Sequence, residues 1–183
     1  MNRSLKILVS INLVFVFGAA LLGPLYAIFV KNIGGNILDI GWTFSVYMIT
    51  IGVMAYIGGR LGDKIKESEY LVAAGYFIRA IGFFSYTLIA SPGQLLILQF
   101  FLGIGEAIAN PAFKSIYSLH LDSNKSSTQW GVWESLFSIT VGIATLAGAF
   151  IAQYFGFNVL FYAMSSLAFA AFILLMIQPR KLL

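Results

Sequence analysis

Residues 59–66 read GRLGDKIK, a short basic segment that separates two long apolar runs at 40–58 and 70–90. A helix needs about 20 apolar residues to cross a hydrocarbon core of roughly 30 Å, and each flanking run has that length. Further apolar runs lie outward on both sides, and the sequence does not show the short alternating strands that are typical of a membrane β-barrel. The sequence therefore predicts six membrane-spanning helices, at 7–30, 40–58, 70–90, 95–113, 130–154 and 158–177.

The composition leads to the same class of protein. The 183 residues are 60% hydrophobic and 10% charged, whereas soluble domains average about 45–50% apolar and about 25% charged residues. A soluble fold of this size cannot bury so much apolar surface, so part of that surface must face lipid. This balance excludes a disordered chain, a nucleic-acid-binding module and a conventional cytosolic enzyme, and the absence of cysteine excludes a disulfide framework. We predict a single all-α integral membrane domain over residues 1–183.

The basic residues predict the orientation of the spans, because cytoplasmic loops carry an excess of lysine and arginine. With a cytoplasmic N-terminus, Lys31 is the one basic residue on an outer loop, and Arg79 lies inside a span. The other nine fall on cytoplasmic segments: Arg3, Lys6, Arg60, Lys64, Lys66, Lys114, Lys125, Arg180 and Lys181. We therefore expect a multi-pass protein of the cell membrane with both termini in the cytoplasm.

The two halves of the sequence share a weak register. Corresponding positions recur 87 or 88 residues apart, in the pairs Pro24 and Pro111, Trp42 and Trp130, and Tyr70 and Asn158. Each repeat contains three helices, an odd number, so the second repeat must be inverted relative to the first. Inverted three-helix repeats are typical of secondary transporters, which bind substrate between them near the midplane of the membrane.

The segment at residues 59–66 also carries the most specific motif. It resembles the loop signature of the major facilitator superfamily, G-x-L-x-D-[RK]-x-G-[RK]-[RK], at Gly59, Leu61, Asp63, Lys64 and, further on, Leu71. The later glycine and the two basic residues of that pattern are replaced by Lys66, Glu67 and Ser68. The resemblance covers nearly the whole chain, but only as the N-terminal six-helix half of the usual twelve helices.

This resemblance implies half of the superfamily's fold, built from two inverted three-helix repeats, and a gating role for the loop residues Gly59, Asp63 and Lys64. It also implies that helices one, two, four and five line the transport path, while helices three and six are peripheral. Gln99 stands where the superfamily often has an arginine, which weakens the case for proton-driven drug antiport by the usual route.

Charged and polar residues inside the spans mark the candidate site, because a charge in mid-membrane costs roughly 2.5–3.5 kcal/mol on insertion scales. Arg79, Glu106 and Glu134 all lie in the inner half of their spans. Glu106 follows the helical spacing of a stripe with Gln99 and Asn110, and such stripes indicate a shared polar cavity. We expect Arg79 to form an ion pair with Glu106 or Glu134. The candidates for binding substrate or coupling transport to a proton are Asn12, Tyr26, Tyr47, Gln99, Glu106, Asn110 and Glu134.

The sequence favours secondary transport of a small solute by alternating access, with two six-helix halves pairing as a homodimer or with another half. The alternative is a non-transporting membrane module, or a partner subunit that assembles with another transporter half. Enzyme activity is not expected, because the sequence has no G-x-S-G nucleophile turn and its one histidine, His120, lies in a loop. We predict no metal, no cofactor and no nucleic-acid partner; the expected partners are the solute, a coupling proton and membrane lipid.

Overall fold

The computed structural model describes residues 3–62, 67–122 and 124–178, and every regular element among them is helical. Two short 3₁₀ turns, at Gly23–Leu25 and Tyr86–Leu88, accompany the α-helices. The α-helices in chain order are α1 (Arg3–Ala20), α2 (Tyr26–Asn32), α3 (Ile37–Gly62), α4 (Glu69–Ser85), α5 (Pro92–Leu119) and α6 (Ser126–Ile177).

Five segments of the described chain are long and apolar enough to cross a membrane: Leu5–Asn32, Ile37–Arg60, Glu69–Leu88, Pro92–Leu119 and Ser126–Ile177. The helices extend past the apolar cores that the sequence marks. For example, α5 continues through Pro111 to Leu119, well beyond the predicted end of its span at residue 113. A hydrophobic window detects only the stretch in the hydrocarbon, whereas a helix continues into the interface until its backbone finds other partners.

The first predicted span, 7–30, is interrupted. The helix stops at Ala20, a 3₁₀ turn covers Gly23–Leu25, and Gly23 adopts a φ of 26°. A positive φ is accessible to glycine at little cost, and Pro24 next to it has no N–H to continue the helical ladder. The interruption therefore follows from the Gly-Pro pair, which the hydropathy pattern alone does not reveal.

The 52 residues of α6 contain one non-helical residue, Gly156, with φ 83° and ψ 170°. The parts of α6 before and after it lie beside the same stretch of chain. Gly148 meets the backbone of Leu21, while Gly18 packs against Leu167, whose Cβ would lie 2.9 Å from a Cβ built on that glycine. Both parts of α6 thus contact the end of α1.

Small residues let α5 approach its neighbours closely, as is common between membrane helices. A Cβ built on Gly103 would lie 2.8 Å from Thr50 Cβ of α3, and one built on Gly105 would lie 2.9 Å from Arg79 Cγ of α4. Because real Cβ atoms do not come within 3.0 Å of other non-bonded heavy atoms, only glycine lets the helices approach so closely at these two positions. The two approaches bring α3, α4 and α5 together around Glu106, which follows Gly105 in the chain.

Aromatic clusters fill the two ends of the bundle. At one end Phe29 packs edge-on against Phe161 with ring centroids 4.9 Å apart, and Tyr86 stacks on Phe161 at 4.9 Å. At the other end Phe113 and Trp133 lie 5.0 Å apart, and Tyr117 Oη donates a hydrogen bond of 2.6 Å to the carbonyl of Gln129. The buried core between them is made largely by α1, α4, α5 and the second part of α6.

Two helix faces carry large apolar side chains that no described residue covers. On α3 these include Trp42 and Tyr56, each 65% exposed, and on the first part of α6 they include Leu146, which is 74% exposed. Single exposed apolar residues are ordinary, but contiguous apolar helix faces indicate contact with lipid or with another helix. These faces are suited to a membrane environment.

Candidate functional site

Among the cavities that the described residues form, two contain the candidate residues. The first has a volume of about 380 Å³, and its polar and charged lining residues are Asn12, Tyr47, Tyr76, Arg79, Glu106, Asn110, Lys114 and Glu134. The second has a volume of about 220 Å³, and its polar lining residues are Tyr26, Tyr47, Tyr86, Arg79 and Gln99. Arg79 and Tyr47 line both cavities, so they form part of the wall between them.

The charged centre of the first cavity is an ion pair between α4 and α5. Arg79 Nη1 donates to Glu106 Oε2, and the two side chains are 10% and 21% exposed. Asn110, one turn further along α5, donates from Nδ2 to Glu106 Oε1 at 3.0 Å. Both carboxylate oxygens therefore accept a hydrogen bond, as a buried carboxylate requires.

Aromatic rings surround the guanidinium of Arg79. Its Cζ lies 4.6 Å from the ring centroid of Phe15 and 5.4 Å from that of Phe83, which are cation–π distances. Its Nε is buried and has no hydrogen-bond acceptor among the described residues. The arginine is therefore held by one carboxylate and two rings, and its buried Nε donor is unused.

Two residues that line the first cavity, Phe15 and Tyr76, were not predicted from the sequence. Asn12 Nδ2 donates a hydrogen bond of 2.5 Å to Tyr76 Oη, and the Tyr76 ring stacks on Phe15 at 4.1 Å. Gly75 and Gly82 of α4 pack against α5, and Arg79 also approaches that helix, at Gly105. The spacing of Tyr76, Arg79 and Phe83 was the available signal, and it marks the face that lines the cavities.

The second cavity contains the remaining candidates, Tyr26 and Gln99. Gln99 is 4% exposed, and the Tyr26 hydroxyl is buried without forming a hydrogen bond, although the side chains of Thr43 and Gln99 lie near it. Thr43 Oγ1 instead donates to the carbonyl of Asp39 at 2.6 Å. This cavity is thus rich in hydroxyl and amide groups, and none of its described lining residues is acidic.

All seven residues that the sequence nominated for substrate binding or coupling line one of the two cavities. Glu134 differs from the others because it is exposed, and it forms no ion pair with any described residue. Gly59 lies near the end of α3 with open space around it, whereas Asp63 and Lys64 of the predicted gating loop lie outside the described residues. In the part of the chain that the structure describes, no group of three or more His, Asp or Glu residues is arranged to hold a metal ion.

A bundle of long apolar helices that encloses polar cavities defines a multi-pass membrane protein. The family is defined by comparison with known sequences: residues 8–182 match the Major Facilitator Superfamily, and the chain belongs to that family. The resemblance predicted from the loop motif at residues 59–66 is thereby confirmed.

The similar proteins differ in length. The chain is 27% identical over 163 residues to the uncharacterized MFS-type transporter YitZ of Bacillus subtilis, which covers 87% of this chain and 97% of that protein. It is 28% identical over 178 residues to the multi-drug resistance efflux pump PmrA of Streptococcus pneumoniae, covering 94% of this chain but 44% of the pump. The multidrug resistance protein MdtG of Enterobacter lignolyticus is 24% identical over 166 residues, 87% of this chain and 40% of that protein. The chain thus spans nearly all of one relative and less than half of the other two.

Proposed function

We propose that this chain is a six-helix half of a secondary transporter, which moves a small solute across the cell membrane by alternating access. The observation that carries the proposal is the largely buried Arg79–Glu106 pair, whose arginine lines two polar cavities, in a bundle of the Major Facilitator Superfamily. Charges at membrane depth are retained mainly where they line a substrate or ion path. Glu106, with Asn110 beside it, is the proposed contact for the solute or a coupling proton, and Arg79 is its partner.

The six-span count rests on a reversal of the chain at Gly156. An uninterrupted helix of 52 residues would be about 78 Å long at 1.5 Å per residue, more than twice the thickness of the hydrocarbon core. Because Gly148 and Leu167 both lie at the end of α1, the two parts of α6 cannot form one straight rod. We infer that α6 crosses the membrane twice, over about 130–154 and 158–177.

The contacts of two glycines support the inverted repeat. Gly18 in the first repeat and Gly105 in the second are 87 residues apart, and each is approached by a side chain of the other repeat. Leu167 approaches Gly18 and Arg79 approaches Gly105, and these two side chains are 88 residues apart. Each glycine would place a built Cβ 2.9 Å from its neighbour. In two repeats of three helices, span one corresponds to span four and span three to span six. The packing of span one on span six therefore corresponds to the packing of span four on span three, as the repeat predicts. In this scheme both termini lie in the cytoplasm, with the loop residues Gly59, Asp63 and Lys64 acting as the cytoplasmic gate.

A second copy of the chain is the proposed partner. Tyr47 of α3 and Val141 of α6 line the first cavity, and the same two helices carry the uncovered apolar faces described above. PmrA and MdtG are each more than twice the length of the segment they share with this chain, so those proteins have room for a second such half. A parallel dimer with its axis along the membrane normal would enclose the cavity between two halves.

Reconstitution tests the proposal. The purified chain is placed in nanodiscs to measure its mass, and in proteoliposomes to measure entry of a labelled anion, cation and neutral solute. We expect a dimer, and saturable uptake of one of the three solute classes. The Glu106→Gln variant should insert in the membrane but lose that uptake. A stable, folded protein that carries none of the three, as monomer or dimer, would favour the alternative of a non-transporting module or partner subunit.

A further inference from the structure

Two donors on residues that line the second cavity, Arg79 Nε and the Tyr26 hydroxyl, have no hydrogen-bond partner among the described residues. We propose that this cavity binds the carboxylate of a small aromatic acid, with Arg79, Tyr26 and Gln99 as the donors. The inference rests on the proposed function only in treating this cavity as part of the solute path.

Arg79 is the strongest of the three donors. The residue is 9% exposed, its Nη1 is engaged by Glu106, and its buried Nε has no acceptor. A buried donor without a partner destabilises the protein by the free energy of its lost hydration, and an incoming acceptor removes that penalty. Nε and the Tyr26 hydroxyl oxygen are both covered in this conformation, so a ligand reaches them after rotation of the two side chains.

Tyr26 and Gln99 add neutral donors to the lining of the same cavity. The Tyr26 hydroxyl is buried without forming a hydrogen bond, and Gln99 is 4% exposed beside it. Thr43 does not require the tyrosine, because its hydroxyl already donates to the carbonyl of Asp39. A carboxylate, which only accepts hydrogen bonds, matches a guanidinium, a phenol and an amide better than any donor-rich ligand does.

The remaining wall fixes the character of the ligand. No acidic residue is among the described residues that line this cavity, so a cation entering it would find no carboxylate on those walls to pair with. Phe44, Phe83 and Tyr86 supply apolar ring surface, and the volume of about 220 Å³ suits a single aromatic ring with its head group. The planar fork of arginine is matched to the two oxygens of a carboxylate.

Glu106 then competes with the ligand. It holds Arg79 from the side of the first cavity, and a carboxylate in the second cavity must share or replace it. Removing the charge of Glu106 should therefore strengthen binding of an acid in the second cavity. A purely structural role for the pair predicts the opposite, because loosening Arg79 would weaken every ligand alike.

Three probes of similar shape and different charge test the inference: the anion benzoate, the neutral benzamide and the cation benzamidinium. Their binding to the full chain in nanodiscs is measured by calorimetry, which does not depend on transport. We expect benzoate to bind at least 10-fold more tightly than either of the others. Equal binding of the three, a preference for benzamidinium, or no measurable binding of benzoate would overturn the inference.

Variants assign the binding to this cavity. Tyr26→Phe and Gln99→Leu should each weaken benzoate about 10-fold, as expected for loss of one hydrogen bond to a charged group, and Glu106→Gln should tighten it. The control Tyr162→Phe removes a hydroxyl from an exposed ring and should leave the affinity unchanged. Unchanged affinity in both Tyr26→Phe and Gln99→Leu, or weaker binding in Glu106→Gln, would contradict the assignment.

The same experiment separates this inference from the proposed function. Benzoate that binds with the expected variant pattern but does not cross proteoliposomes would leave the carboxylate site standing and refute transport of that acid. Saturable flux of another solute class, with no binding of benzoate, would support transport and overturn the carboxylate site.

Discussion

The Arg79–Glu106 pair allows a quantitative prediction about stability. Both side chains are largely buried, at 10% and 21% exposure, so solvent screens them little. Removing one partner of a buried pair leaves an uncompensated charge and typically costs about 3–5 kcal/mol. The rings of Phe15 and Phe83 stay in place beside the guanidinium of Arg79 and partly offset that loss. We therefore expect Glu106→Gln to lower the free energy of unfolding by about 3 kcal/mol.

A double-mutant cycle isolates the pair. Arg79→Gln and Glu106→Gln are measured alone and together, by reversible unfolding in mixed micelles. Because the double variant has no unpaired charge, it should be more stable than the sum of the single changes predicts, by about 2 kcal/mol or more. Glu134→Gln is the matched control: that carboxylate is exposed and has no described ion-pair partner, so its loss should change stability by less than about 0.5 kcal/mol. Additive single changes, or equal losses at Glu106 and Glu134, would refute the reasoning.

The remaining predictions concern packing and the turns. Gly75→Ala should destabilise the bundle by about 1–3 kcal/mol in the same unfolding assay, because its Cβ would meet Ala109. The control Gly142→Ala should be neutral or slightly stabilising, because a Cβ there has open space around it. Gly156→Ala should cost about 1 kcal/mol or more, since φ there is 83°, and an unaltered unfolding curve would argue against the turn. Tyr76→Phe removes the partner of Asn12 inside the bundle and should cost about 1 kcal/mol; an unchanged stability would show that the amide finds another acceptor.

Membership of the Major Facilitator Superfamily and the multi-pass class were predictable because lipid constrains sequence directly. Each apolar run must satisfy its own backbone hydrogen bonds, so hydropathy alone marks helices. The loop at residues 59–66 added a family motif of unusual specificity. The interruption at Gly23–Leu25 was not predicted, because a window over 7–30 averages the Gly-Pro pair into an apolar run.

The candidate site was only partly predictable. Helical spacing placed Glu106, Asn110 and Gln99 on one stripe, and the structure places all three on cavity walls. The sequence could not decide whether Arg79 faces Glu106 or Glu134, because that depends on how α4 and α5 are rotated about their axes. The rotation is set by close approaches such as Gly105 against Arg79, which involve residues far apart in the chain. Tyr76 was missed for the same reason.

Alternating access of the first cavity is the central claim, and cysteine labelling tests it without knowledge of the solute. The chain has no cysteine, so Val141→Cys places a single thiol on the wall of that cavity, and Leu146→Cys places one on the apolar outer face as a control. Each variant is treated with a membrane-impermeant maleimide in right-side-out and in inverted membrane vesicles. The account predicts that the thiol at position 141 is labelled from both sides of the membrane and that the one at 146 is labelled from neither. Labelling of position 141 in only one of the two vesicle orientations, at every labelling time, would contradict it.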